Sequence, residues 1–265
     1  MAAGPPAATV RAPFRTANVT IASEVESRYL PASDASRSAG ITTAGEGGAS
    51  SALGPSSLVA TAPLMLVVHP SLQAKSLKAF IALAKAHPGK FNFGSGGPGT
   101  TPHLAGEMLK AMAGLQMTHV PYKGGGPALA DLMGGQLQLM LENIPSTLPH
   151  VKSGRLRALV VSGLKRSALV PDLPTLDEAG LKGYEIVGWN GLFLPGATPR
   201  VIVTRLHSET VKSLALPDIR ERLSSMGAEG VGNTPAQFTA FLKSEISKWA
   251  RVVRDAGLRT EQKYK

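Results

Sequence analysis

The sequence contains no cysteine. That excludes disulfides, thiolate catalysis and cysteine-based zinc sites, and leaves oxidising and reducing compartments equally open. Aromatic residues make up only 5% of the 265 residues, whereas glycine and proline number 29 and 20. This balance fits a turn-rich α/β protein better than an all-β or coiled-coil one. No apolar run approaches the ~20 residues of a membrane span. The net charge is +10, which favours an anionic ligand or surface. The basic residues are scattered, however, and the densest group is Lys152 to Arg157. With no basic helix or aromatic-interleaved stripe, nucleic acid is not an expected partner. The histidines at 69, 87, 103, 119, 150 and 207 show no metal-ligand spacing, so no metal site is expected.

What is present divides at about residue 56. The first 56 residues, from "MAAGPPAATVRAPFRTANVT" to "GEGGASSALGPS", lack sustained periodicity apart from short pieces such as "NVTIAS". Gly45 to Ser57 has linker composition, and the whole segment reads as disordered. No apolar block of about 7–15 residues follows Arg11 and Arg15, so no secretory leader is read there.

Beyond Leu58 the patterning is strong. Leu64 to Val68 reads as a buried strand and Ser76 to His87 as an amphipathic helix closed by Pro88-Gly89. Strands follow at Phe91–Phe93, Met117–Pro121, Gln136–Leu141 and Leu156–Val161. Between them lie helices beginning near Thr101, Ala128 and Ser146. Such alternation predicts a parallel sheet with crossover connections. A long connection leads to a strand within Tyr184–Leu194, and the tail reads as three helices. The last of these opens on a capping box, Thr234-Pro-Ala-Gln237.

Two glycine-rich loops each follow a strand and precede a helix. "FNFGSGGPGTTPHLAG" contains Gly94-x-Gly96-x-x-Gly99. It lacks the acidic residue expected about 20 positions on in a dinucleotide site. It equally lacks the lysine of a P-loop. Its backbone N–H groups, the following helix N-terminus and the hydroxyls of Ser95, Thr100 and Thr101 still suit an anion, and a plain tight turn is the competing reading. "YKGGGP" places Tyr122, Lys123 and Gly124 at the next strand end, where both loops can face one crevice. Lys123 reads as a point charge toward a ligand or as a solvated lysine. His103 reads as a surface or capping residue as readily as a neighbour of Ser95. Glu142-Asn143 ends a further strand and can reach the crevice, with Asn143 a ligand donor or a turn former. Ser95 is not a nucleophile elbow, because Phe93 stands where that motif needs glycine.

Together, "SLVATAPLMLVVHPSL", "GKFNFGSGGPGTTPHLAGEML", "HVPYKGGGPALADLMGGQLQLMLENIPSTLPHVKSGRLRALVVSG" and "WNGLFLPGATP" resemble the Bug (TctC-like) family, the extracytoplasmic receptors of tripartite tricarboxylate transporters. The resemblance runs from Ser57 to Leu258. It implies an α/β, two-lobed, type 2 periplasmic-binding-protein fold with a ligand cleft between lobes. Lobe one would combine residues 57–90 with 195–265, and lobe two would be residues 91–194 with a hinge strand. The implied function is capture of a small carboxylate for a membrane permease, by a periplasmic monomer with no catalytic residue and no cofactor. The implied ligand contacts are Ser95, Gly96, Gly97, Gly99, Thr100, Thr101 and His103, with Tyr122, Lys123 and Gly124 lining the same cleft.

The family's leader and its first "FPPGGGTD"-like loop have no counterpart in residues 1–56. Lobe one is therefore expected to lack central strands. The segment looks like a replaced or misassigned start, and the chain as written would stay in the cytoplasm. The remaining alternatives are an enzyme or effector-sensing domain using the glycine loop for another anion, or a non-functional remnant.

Overall fold

The computed structural model describes residues 53–255. Its longest strand, β1 (Leu53–Val68), serves two sheets. The first part pairs antiparallel with β6 (Val187–Pro195), from Leu53↔Pro195 to Pro63↔Val187, and touches the short β7 (Glu229–Gly230) through Ala60 and Thr61. From Leu64 onward it pairs with β4 (Leu139–Asn143) and β5 (Arg157–Val161) instead. The partner changes at Pro63, which has no N–H to give to a ladder. Leu64 to Val68 is buried at every position, the uninterrupted apolar run expected of a central strand.

The larger sheet has the order β3-β2-β4-β1-β5, with β2 (Phe91–Ser95) parallel to both β3 (Met117–Pro121) and β4. It is mixed, not parallel throughout as the strand–helix alternation predicts, because β1 runs antiparallel to β4 and β5. Alternation reports the helical crossovers from β2 to β5. It carries no information on a strand that arrives from another sheet without a crossover.

Two layers of helix cover this sheet. On one face α1 (Leu77–Ala86) and α2 (Thr101–Ala113) bury Leu77, Phe80, Leu104 and Leu109 in one core with Leu64, Leu66, Phe91 and Phe93. On the other, α3 (Gly125–Met133) and α4 (Ile144–Lys152) bury Leu129, Leu132 and Ile144 against Met65, Val67 and Met140. The C-terminal helix α7 (Pro235–Asp255) bridges the two bodies. Its Phe238 and Leu242 join Leu58, while Trp249 and Val252 join the core of the larger sheet. Residues 64–86 and the end of α7 therefore pack with the five-stranded body. Chain order does not show that β1 and α7 each cross between bodies.

The segment read as disordered to residue 56 ends in structure. Leu53 to Ser56 lie in β1, and Ser56 and Ser57 are fully buried. Ser57 Oγ donates to the Asn233 carbonyl at 2.9 Å, and Leu58 N donates to Asn233 Oδ1 at 2.8 Å. These bonds satisfy polar groups that apolar periodicity cannot detect. Residues 1–52 lie outside the described part, and that portion of the expectation goes with them.

In the smaller body, α5 (Arg200–Ala215) and α6 (Pro217–Ser225) bury no residue among those described, and Val201 is 74% exposed. The capping box forms as read, with Gln237 N donating to Thr234 Oγ1 and Thr234 N to Gln237 Oε1. No described helix is long and apolar enough to cross a membrane.

Candidate functional site

Strands β2, β3 and β4 run in one direction, so their carboxyl ends, at Ser95, Pro121 and Asn143, share one edge of the sheet. Each leads into a helix start. The N-cap of α2 is Thr100, with Pro102 in the first turn. The N-caps of α3 and α4 are Gly124 and Asn143. None of the three caps gives a side-chain hydrogen bond to its own helix. By contrast α1, whose start is outside this edge, is capped by Ser76 accepting from Ala79 N. Three helix N-termini with unfilled N–H groups at one sheet edge form a concentration of positive backbone dipole.

The loops are locked to one another. Tyr122 N donates to the Ser95 carbonyl at 3.0 Å, and Gly124 N donates to the Gly96 carbonyl at 3.1 Å. Gly96 is required by this approach, since a Cβ there would lie 3.1 Å from Gly125 N and 3.2 Å from Gly124 C. Gly97 turns the loop at φ 134°, a conformation that side chains disfavour. Thr100 Oγ1 donates to the Gly97 carbonyl at 2.8 Å, so this hydroxyl braces the loop.

Behind the loop sits a buried polar stack. Ser95 is fully buried. Its hydroxyl lies 2.7 Å from His119 Nε2 and accepts from Gly97 N at 3.1 Å. His103 stacks on His119 with ring centroids 3.9 Å apart, and Phe93 packs against both rings. Gly99 N donates to His103 Nδ1 at 3.0 Å, which fixes the neutral tautomer bearing its proton on Nε2. Burial, with the Lys110 ammonium nearby, holds His103 down at about 4. Burial, His103 and Lys110 hold His119 down at about 3. Lys110 itself is held by both carboxylate oxygens of the buried Glu107. The histidines are neutral struts that set the loop.

All eleven residues singled out from sequence lie along this edge, but in different states. Ser95, Gly99, Thr100 and His103 are engaged in holding the loop. The Tyr122 hydroxyl donates to Asp131 Oδ2 at 2.7 Å, and burial together with Asp131 pushes its pKa up to about 12. Gly96, Gly97 and Gly124 supply the backbone turn, while Thr101 opens α2. Lys123 and Asn143 are exposed. Asn143 Nδ2 is oriented by Glu142 Oε1 at 2.8 Å.

Sequence reasoning passed over His119. Its signal was the pairing of Phe93 with His119 across parallel strands, which depends on register. A separate cavity of about 710 Å³ lies between Gly163–Leu169, β1 and α5–β7. No residue of the glycine loops lines it, and the converging N–H groups, rather than that volume, mark the site. Among the described residues no cluster of His, Asp or Glu is placed to hold a metal.

A family model described as tripartite tricarboxylate transporter family receptor, TctC, matches residues 49–258. The chain belongs to this receptor family. Protein BugT of Bordetella pertussis is 37% identical over 203 residues, covering 77% of this chain and 62% of its own length. The chain thus spans less than two thirds of that relative. Among solved structures of the family's fold, an R. palustris protein with adipate is 35% identical, with TM-score 0.69 over 77% of this chain and 69% of its own. MatC from Rhodopseudomonas palustris with bound malate is 31% identical, with TM-score 0.65 over 76% and 69%. The periplasmic binding protein BugD is 33% identical, with TM-score 0.67 over 78% and 70%. The mixed α/β architecture is that of the periplasmic solute-binding proteins, and the family is one of receptors, not of enzymes.

Proposed function

We propose that the protein is a solute receptor that binds a small carboxylate at the edge formed by Ser95–Thr101, Tyr122–Gly125 and Asn143. The observation that carries this reading is the convergence of three open helix N-termini on loops whose glycines keep backbone N–H groups approachable. Such a surface favours negative charge without needing a buried cation. The ligand-bearing relatives agree in chemistry, since adipate and malate are both dicarboxylates. Gly96, Gly97 and Gly124 shape the site, Thr101 and Asn143 offer side-chain donors, and Lys123 adds a point charge at the rim.

The bound solute is handed to the permease subunits of a tripartite transporter, by a periplasmic monomer that uses no nucleic acid. The experiment is a thermal-shift series with mono-, di- and tricarboxylates and amino acids at millimolar concentration. A ligand at 100-fold its Kd adds about 2.7 kcal/mol and raises the midpoint by degrees. Melting that no carboxylate moves would overturn the reading.

A further inference from the structure

Glu142 ends β4 within the proposed site, yet it is an acid in a place built for anions. It is 6% exposed. Its Oε1 accepts both Asn143 N and Asn143 Nδ2, each at 2.8 Å. Its Oε2 makes no hydrogen bond among the described residues, and no described cation pairs with Glu142. That second oxygen stands 2.6 Å from where a Cβ on Gly125 would lie, against the first turn of α3. Gly125 N is in turn 3.1 Å from where a Cβ on Gly96 would lie. Glu142 Oε2, the second loop and the glycine loop are therefore contiguous.

Oε2 is not sealed from solvent, so a ligand that covers it has to offer a donor or leave it unpaired. A plain dicarboxylate brings only acceptors and further negative charge. It leaves Oε2 unfilled and places like charges together. A carboxylate with a hydroxyl or ammonium on the neighbouring carbon meets both demands. Its carboxylate takes the N–H groups, and its donor takes Oε2. We infer that Glu142 is the specificity-determining residue of this site, selecting 2-hydroxy- or 2-amino-carboxylates over unsubstituted dicarboxylates. The inference rests on the carboxylate-receptor reading. Burial raises the Glu142 pKa, opposed by the two Asn143 hydrogen bonds.

The test is isothermal titration of the full chain at one pH, near 7.5, with malate, aspartate and succinate, which share a four-carbon backbone. Hydrogen bonds to a charged acceptor are worth about tenfold or more in affinity. Malate and aspartate are expected to bind at least ~10-fold tighter than succinate. In Glu142→Gln, an amide replaces the accepting oxygen. Succinate should then tighten, aspartate should weaken, and the three should converge to within ~3-fold. Should that variant fail to fold, as read by circular dichroism, the wild-type ratio alone decides. Succinate binding within ~3-fold of both others in the wild type overturns the inference and leaves the receptor reading intact, as does a Gln variant that keeps the preference. No heat from any of these or other carboxylates overturns both.

Discussion

Acidification from about pH 7.5 to about pH 5 is expected to destabilise the fold by up to about 4 kcal/mol through His103 and His119. Both are held neutral, with pKa values of about 4 and about 3. In the unfolded chain each titrates near 6.5. A histidine with a depressed folded value contributes stability that is present above the unfolded pKa. That stability is lost as pH falls through about 6.5 toward the folded value, because only the unfolded chain takes up the proton. At pH 5 the linkage relation gives at most about 2 kcal/mol for each ring, and less for His119, which is only partly buried. The surface carboxylates with lowered pKa, Asp177 and Glu178, begin from ordinary values near 4 and contribute mainly below this window.

The assay is urea unfolding at the two pH values, compared with a His103→Asn/His119→Gln double variant. Asparagine retains an acceptor for Gly99 N, and glutamine retains a partner for Ser95. The variant is expected to lose most of the pH dependence at an unchanged m-value. A double variant that keeps the wild-type difference would refute the assignment of the acid response to this stack.

The other predictions concern geometry. Gly96→Ala places a methyl group 3.1 Å from Gly125 N. It should part the two loops and weaken carboxylate binding at least ~10-fold in titration, since donor placement carries the affinity. Gly97→Ala forces a side chain to φ 134°. It should cost about 1–3 kcal/mol in denaturant unfolding. Thr234→Ala removes the cap on α7 and should cost about 1 kcal/mol by the same measurement. Phe80→Ala empties a fully buried position packed edge-on to Phe91. It should cost about 3–5 kcal/mol.

The features legible in sequence are those set by local chemistry. Ser76 and the Thr234–Gln237 box mark helix ends because capping acts within a turn. Gly96 and Gly97 announced a special loop because close approach and positive φ exclude other residues. What sequence concealed is long-range. The division of β1 between two sheets follows from partners about 70 to 140 residues away. The His103–His119 stack depends on strand register. It turns a histidine read as a surface or capping residue into a buried strut. Glu142 was visible at the strand end beside Asn143, but its unfilled oxygen became apparent only against Gly125.

The central claim is that backbone dipoles at this edge bind a carboxylate as a charge. The most direct measurement is titration of the wild type and Gly96→Ala with malate and with its dimethyl ester. Saturable heat from malate, none from the ester, and an affinity at least ~10-fold lower in the variant are the predicted results. Equal binding of the ester, or malate binding that Gly96→Ala leaves unchanged, would contradict the account.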